Sequence, residues 1–153
     1  MARRISLNLS TPPVVLAQLS RDEDSGRLRV AGNPSTPPEA LAEFARDEDW
    51  SVRWRVAHNP STPPEVLVQL ARDRDWNVRW HVANNPSTPL EVLVALSRDE
   101  NDYVRWRVAA NHSTPPEVLL ILMVDDEKDV RERAERALNK RAMSVERHAH
   151  SQE

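Results

Sequence analysis

The residues best suited to chemistry in this chain are tryptophans that are each followed by a basic residue. The short sequence "VRW" recurs along the chain. Aromatic rings and guanidinium groups stack on one another, stack on nucleobases and dominate the hot spots of protein interfaces. Leu28 and Glu132 take the tryptophan position in the end repeats, but the basic position persists there. The candidate partner-binding residues are therefore Trp54, Arg55, Trp80, His81, Trp106, Arg107, Arg29 and Arg133.

The remaining titratable residues do not form a catalytic or metal-binding pattern. His58, His81 and His112 lie in different repeats and at different positions in them. We find no HExxH motif, no glycine-rich phosphate loop and no arrangement of a nucleophile beside a base. The chain has no cysteine, which rules out disulfides, zinc–cysteine sites and iron–sulfur clusters. The sequence therefore predicts no enzymatic activity, no cofactor and no bound metal.

An internal repeat determines where these residues lie. The sequence Ser-Thr-Pro begins at positions 10, 35, 61, 87 and 113, with spacings of 25, 26, 26 and 26 residues. A fixed period of this size indicates a stacked array in which each unit buries its apolar face against its neighbours. We expect a single repeat domain over residues 1–143, with units near 10–34, 35–60, 61–86, 87–112 and 113–138.

The first half of each unit predicts a helix of about ten residues. Thr62 is a suitable N-cap, Pro63 suits the first helical position, and Glu65 completes a capping box. Apolar residues three apart then form one buried stripe. The pairs in that stripe are Leu16/Leu19, Leu41/Phe44, Leu67/Leu70, Leu93/Leu96 and Leu119/Leu122.

The second half predicts a shorter helix, in part 3₁₀. Asp49 and its equivalent Asp75 are candidate N-caps, and Val52 and Val56 face inward together. The helix must end by Asn59, because the following proline disfavours helical geometry, and we expect a left-handed cap there. Tryptophans of "VRW" then lie opposite the core.

The string "VRWRVAHNPSTPPEVLVQLARD" resembles the leucine-rich repeat variant family, and the likeness covers about five units. It implies an all-α, right-handed α-solenoid of alternating α and 3₁₀ helices, with no common enzymatic activity. Some members carry a cysteine-ligated iron–sulfur module before the repeats, but this chain has no cysteine. The 26-residue period and the Asp-x₄-Val-Arg spacing are also similar to HEAT repeats, so two α-helices per unit is the alternative.

Resemblance to HEAT repeats further implies a ladder of Asp and Arg residues between neighbouring units. Each Val-Arg arginine follows an aspartate in the preceding turn, and that aspartate is its expected partner. The arginines are Arg27, Arg53, Arg79, Arg105 and Arg131, and the aspartates are Asp22, Asp47, Asp73, Asp99 and Asp125. We expect this ladder to be structural.

The two ends depart from the pattern. The segment after residue 125 predicts a longer, charged capping helix whose inner stripe is Val130, Ala134, Ala137 and Leu138. Residues 144–153 are expected to be a frayed tail, and residues 1–10 a strand or arm against the first helix. Neither a signal peptide nor a membrane-spanning segment is visible, so a cytoplasmic protein is the default.

The repeated tryptophans leave three functions open. A concave row of tryptophans and arginines would bind a protein partner with acidic or peptide-like features. The same row could bind nucleic acid, although the net charge of −3 argues against it. Alternatively the rings could only pack between units, in a purely structural repeat protein. We expect a non-catalytic module for protein–protein interaction.

Overall fold

The computed structural model describes residues 24–150, and the side chains of residues 26–145. This part of the chain is a succession of helices without strands. The helices are α1 (Asp24–Ala31), α2 (Pro38–Phe44), α3 (Trp50–His58), α4 (Pro64–Leu70), α5 (Trp76–Asn84), α6 (Leu90–Leu96), α7 (Asp102–Ala110), α8 (Pro116–Leu122) and α9 (Lys128–His150). The predicted unit that starts at Ser10 lies mostly outside the described residues, as do its stripe residues Leu16 and Leu19 and the proposed N-terminal arm.

The first helix of each unit is shorter than predicted. Helix α4 has seven residues, and the residue before it, Pro63, is extended at φ −59° and ψ 146°. Pro64 imposes that geometry on the preceding residue. The predicted Thr62 cap is therefore wrong: its hydroxyl instead donates to the carbonyl of Val56 at 2.6 Å. The threonine thus ties the turn to the preceding helix and does not cap the following one.

The second helix is the longer one of each unit. Helix α3 has nine residues and begins after Asp49, whose carboxylate accepts from the N–H of Ser51 at 2.8 Å, as predicted for this N-cap. It ends at His58, but Asn59 is extended at φ −66° and ψ 124°, not left-handed, because Pro60 follows. The second helices are α-helical, so the predicted relative lengths and the 3₁₀ geometry are wrong, and the two-α-helix alternative is correct.

The core lies between the two helices of every unit. Leu67 of the first helix α4 is fully buried, as are Val78 and Val82 of the second helix α5. Successive second helices pack directly on one another, from α1 through α3, α5 and α7 to α9. The predicted fold class, an all-α solenoid of 26-residue two-helix repeats, is confirmed; its handedness stays a prediction.

Helix α9 is the last helix of the described stack and packs on α7 and α8. Val130 and Ala134 are buried, and Ala137 and Leu138 pack against the core at its edge. Arg141 donates to the carbonyls of Thr114 and His112, at 2.6 and 2.9 Å, and so ties α9 to the turn before α8. The helix continues to residue 150, so a helix stands where the frayed tail from residue 144 was predicted. No helix among the described residues is both long and apolar enough to cross a membrane.

Candidate interaction surface

A ladder of ion pairs joins neighbouring units on one side of the second helices. Arg53 donates from Nε and Nη2 to the two carboxylate oxygens of Asp73, at 2.6 and 3.0 Å. Its Nη1 donates to the carbonyls of Asp47 and Glu48, both at 2.9 Å. The ladder therefore runs between neighbouring units, as expected, but the carboxylate comes from the aspartate of the next unit and not from the aspartate before the arginine. Each of these arginines donates to the backbone carbonyl of the aspartate before it and to the carboxylate of the aspartate in the next unit.

The same contact recurs along the stack. Arg79 meets Asp99 at 2.7 Å and Arg105 meets Asp125 at 2.7 Å. At one end, Arg27 lies 3.6 Å from Asp47, while Asp22 falls outside the described residues. At the other end, Arg131 donates to the backbone carbonyls of Asp125 and Asp126, and among the described residues it has no carboxylate partner.

Each ladder carboxylate also stabilises its own turn. Asp73 accepts the N–H of Asp75 at 2.9 Å in addition to the two bonds from Arg53. Burial raises the pKa of Asp73, but the hydrogen bonds from Arg53 and from the Asp75 N–H outweigh it and hold that pKa below its ordinary value. The hydrogen bond to Asp73 likewise raises the pKa of Arg53. The pair is therefore fully charged at neutral pH.

A second ladder, made of asparagines, was missed in the sequence. Asn85 is buried, and its Nδ2 donates to the carbonyls of Ala57 and Asn59 in the preceding unit, at 2.8 and 3.0 Å. Its Oδ1 accepts from the N–H of Ser87 at 2.9 Å. The side chain satisfies backbone groups that would otherwise be buried without partners. Asn59 and Asn111 make the same inter-unit contacts, and Asn33 accepts from the Ser35 N–H.

The candidate tryptophans and bases form a continuous stack, which we call the aromatic column. Its tryptophans are half-buried against the core, and His81, Arg107 and Arg133 each lie beside the tryptophan of the preceding unit. The order is Arg55, Trp54, His81, Trp80, Arg107, Trp106 and Arg133, and successive centres are 4.5, 4.6, 4.8, 4.2, 5.0 and 5.8 Å apart. Cation–π and ring stacking contacts of this kind stabilise the packing of neighbouring helices. Arg29, the remaining candidate, is exposed beyond this stack.

The residue that lies beside each base of the column differs from one unit to the next. Arg55 lies across Gly32, where an added Cβ would meet its Cδ at 3.5 Å. Arg107 donates to the Oδ1 of Asn84 at 3.1 Å. Gly32 and Asn84 are equivalent positions, each one helical turn after the residue at the tryptophan position of its unit, Leu28 or Trp80. At the same place, His58 meets His81 edge to face, at 5.3 Å between ring centres.

His81 is the one column base that is neutral at pH 7. Its ring stacks on Trp54 with an angle of 24° between the planes. Burial, with smaller contributions from the charges of His58, Arg107 and Arg55, lowers the pKa of His81 from 6.5 to about 4. Among the described residues its buried Nδ1 has no hydrogen-bond partner. The middle of the column is therefore an uncharged ring stack, with cations on both sides.

A row of exposed aromatic residues lies one helical turn before the column. Trp50 and Trp76 begin their helices and are 45% and 39% exposed, and Tyr103 is 62% exposed. Trp76 and Tyr103 stack at 5.6 Å with an angle of 28° between the rings. These three residues, which we call the exposed aromatic row, present large apolar side chains to solvent on three successive second helices.

Matches to family models agree with this architecture. A model of the leucine rich repeat variant domain matches residues 25–75, and one of the leucine rich repeat variant matches residues 76–101. Together they span just over half of the chain. The chain belongs to the leucine-rich repeat variant family. No curated protein matches it.

Membership of the leucine-rich repeat variant family accounts for the scaffold and leaves the surface to be explained. Families of this type are typically non-catalytic repeat scaffolds. Sequence reasoning missed the asparagine ladder because an asparagine before proline was interpreted only as a helix cap. Its recurrence at Asn33, Asn59, Asn85 and Asn111, spaced by the full period, was the available signal. A base 27 residues after each tryptophan of the column, at His81, Arg107 and Arg133, was the corresponding signal for the column.

Proposed function

We propose that the chain is a non-catalytic module that binds another protein through the side of the stack formed by its second helices. The observation that carries this proposal is the exposed aromatic row. Tryptophan and tyrosine are the residues that most often dominate protein interfaces, and exposed apolar patches on a folded surface commonly mark binding sites. Three such side chains on consecutive repeats suit an extended partner segment.

The aromatic column supports this surface from below. Trp54, Trp80 and Trp106 are half-buried, and the bases between them cover parts of their rings. Their main role in the proposal is to fix the spacing of the second helices, and their free edges add to the contact area. The direct packing of successive second helices favours a concave surface here, because elements on the inner side of a curved stack lie closer together.

Nucleic-acid binding has weaker support. A phosphate-binding groove needs guanidinium groups that are free to leave the protein surface. Arg79 and Arg105 are held by carboxylates in the ladder, and Arg107 lies between two tryptophans. Acidic side chains in the turns beside the second helices would repel phosphates.

The proposal is tested by comparing two exposed apolar rows of the same protein. One variant replaces the exposed aromatic row, as Trp50→Ser, Trp76→Ser and Tyr103→Ser together. The matched control replaces an exposed row on the first helices, as Val68→Ser, Val94→Ser and Leu120→Ser, where the side chains are 38%, 37% and 58% exposed. Proteins captured from nuclease-treated extract by the immobilised parent are then compared with those captured by each variant.

The expected result is a partner that binds the parent and the first-helix variant but not the aromatic variant. Both variants must first show the unfolding cooperativity of the parent. A partner lost only with the first-helix row would place the interface on the other side of the stack. Proteins captured from untreated extract but not from nuclease-treated extract, together with affinity for single-stranded RNA or DNA that falls steeply with salt, would favour the nucleic-acid alternative.

A further inference from the structure

A cavity of about 430 Å³ opens between the last two second helices, α7 and α9. Three aromatic rings line it, those of Trp80, Tyr103 and Trp106. Val130, which is buried, closes its apolar side. A cavity of this size and lining is large enough for one long side chain of a partner or for a small ligand.

The charged residues among those that line the cavity are all acidic. They are Asp102, Glu127 and Asp129. The structure gives none of the three carboxylates an ion pair or a side-chain hydrogen bond with another described residue. Asp102 and Asp129 lie in the first turns of α7 and α9, where they also stabilise the helix dipoles. That effect leaves their oxygens available to a ligand.

The nearby arginines do not neutralise these walls. Arg107 and Arg133 lie against the tryptophan rings but do not line the cavity. Arg105 is close enough to feel the charges of Asp102 and Glu127. Its guanidinium is bound on both sides, however, by the carboxylate of Asp125 and by the carbonyl of Asp99. A ligand in the cavity would therefore meet aromatic rings and unpaired negative charge.

We propose that this cavity binds a basic side chain, the ammonium group of lysine or the guanidinium of arginine, presented by the partner protein. Aromatic rings attract cations through their negative faces, and carboxylates at the rim supply the charge and hydrogen-bond acceptors that a desolvated cation needs. An acidic ligand would meet three carboxylates in the same space and be repelled. The sequence suggested a partner with acidic or peptide-like features, whereas the contact proposed for this end of the stack is basic.

This inference extends the proposed function, since it names the chemistry of one anchor of the same partner. It can nevertheless fail alone, because cavity binding is measurable with a peptide and without the partner. The probes are four short peptides of glycine and serine that differ only at a central residue: lysine, trimethyllysine, arginine or uncharged norleucine. The readout is the ¹⁵N-labelled indole N–H signals of the tryptophans, followed by NMR during titration of the full chain.

We expect the cationic peptides to shift the signals of Trp80 and Trp106 and to bind roughly tenfold more tightly than the norleucine peptide. A preference for trimethyllysine would show that the rings dominate, and a preference for arginine that the carboxylates do. Equal binding of norleucine would overturn the proposal, and so would shifts confined to Trp50 and Trp54.

Matched charge variants separate this site from general attraction to an acidic protein. Glu127→Gln and Asp129→Asn each remove one charge from the cavity wall and should weaken the cationic peptides several-fold. Asp126→Asn removes the same charge from an exposed neighbour that does not line the cavity, and it should change affinity little. Equal weakening by Asp126→Asn would mean that the peptides respond to net charge, which overturns the site.

A ring variant completes the test without endangering the fold. Tyr103 is 62% exposed, so Tyr103→Leu should fold normally and lose affinity for the cationic peptides, while Tyr103→Phe should retain it. Unchanged affinity in Tyr103→Leu would overturn the cavity as the binding place. If the peptides bind as expected but the variant of the exposed aromatic row still captures every partner, the cavity stands and the proposed function fails.

Discussion

The two sides of each second helix differ in how closely the repeats resemble one another. On the ladder side, the Nε–Oδ2 distances from Arg53, Arg79 and Arg105 are 2.6, 2.7 and 2.7 Å. On the column side the occupant changes from arginine to histidine and back, and the distances between neighbouring centres vary from 4.2 to 5.8 Å. Side chains on these two sides of the same helices therefore obey different constraints.

The difference follows from what each contact must satisfy. A buried guanidinium and the buried carbonyls beside it need hydrogen-bond partners in fixed directions, so every repeat must supply the same residues at the same places. Stacking on a tryptophan ring is less directional and accepts arginine or histidine. The ladder side therefore holds the repeats in register, while the column side and its exposed edge can vary from one repeat to the next.

Breaking one pair of the ladder gives the largest expected effect. Asp73→Ala leaves Arg53 buried without a carboxylate and removes the acceptor of the Asp75 N–H. We expect the free energy of unfolding to fall by about 3–5 kcal/mol, measured by urea denaturation. Asp126→Ala, which removes an exposed carboxylate, is the control and should change it by less than about 0.5 kcal/mol. Similar losses in the two variants would contradict the structural role of the ladder.

The asparagine ladder should give the next largest effect. Asn85→Ala deprives the carbonyls of Ala57 and Asn59, and the N–H of Ser87, of their partners. The expected loss is about 1–3 kcal/mol, again from urea denaturation. Asn85→Asp keeps the shape of the side chain but replaces the amide nitrogen, which donates to the two carbonyls, by a carboxylate oxygen that only accepts. This substitution should therefore destabilise the protein more than alanine does. An aspartate variant as stable as the parent would show that these bonds are unimportant.

The repeat period and the leucine and valine stripes were predictable because burial depends mainly on residue type and spacing. Leu67, Val52 and Val56 lie where the sequence placed them. Helix ends were harder, because the two consecutive prolines at 63 and 64 shift the start of α4 by one residue and release Thr62 for another contact. Local propensity describes one unit at a time and does not show which neighbour will receive a hydrogen bond.

The ion pairs and the column illustrate that limit. The resemblance to HEAT repeats pointed to a ladder of arginines and aspartates, but Arg53 was paired with an aspartate six residues before it. The structure pairs it with Asp73, twenty residues later. Similarly, His81 was grouped with the arginines of the stripe, although its burial between tryptophan rings makes it neutral. Contacts between units depend on how the units stack, which the period alone does not specify.

His81 should make the column sensitive to mild acid at pH values that leave the ladder intact. Its pKa is lowered from 6.5 to about 4 in the folded protein, so between these values the unfolded chain binds the additional proton. Stability should therefore fall as the pH is lowered from about 6.5 to about 4. Because part of the ring faces water, we expect the loss to be about 1 kcal/mol.

Urea denaturation of the parent and of His81→Gln at several pH values checks this expectation. The variant retains His58 and His112, so the difference between the two curves isolates His81. Asp73 and Asp125, whose hydrogen bonds from the ladder arginines lower their pKa values, lose their contribution only below about pH 4, where they become protonated. Identical pH dependence of the parent and His81→Gln would show that the ring is as easily protonated in the fold as in the unfolded chain.

The smallest effect on stability is expected for the exposed aromatic row, and it sharpens the contrast between packing and binding. Trp76 and Trp80 lie one turn apart on α5, but Trp76 begins the helix at the surface, whereas Trp80 contacts both His81 and Arg107 in the column. Trp76→Ser should lower the free energy of unfolding by less than about 1 kcal/mol, and Trp80→Ser by about 3 kcal/mol or more.

Partner binding should show the opposite order among variants that remain folded, since Trp76→Ser removes an interface side chain from an unchanged scaffold. A large loss of stability in Trp76→Ser would mean that this ring also holds the repeats together, and the exposed row could no longer be assigned to binding alone.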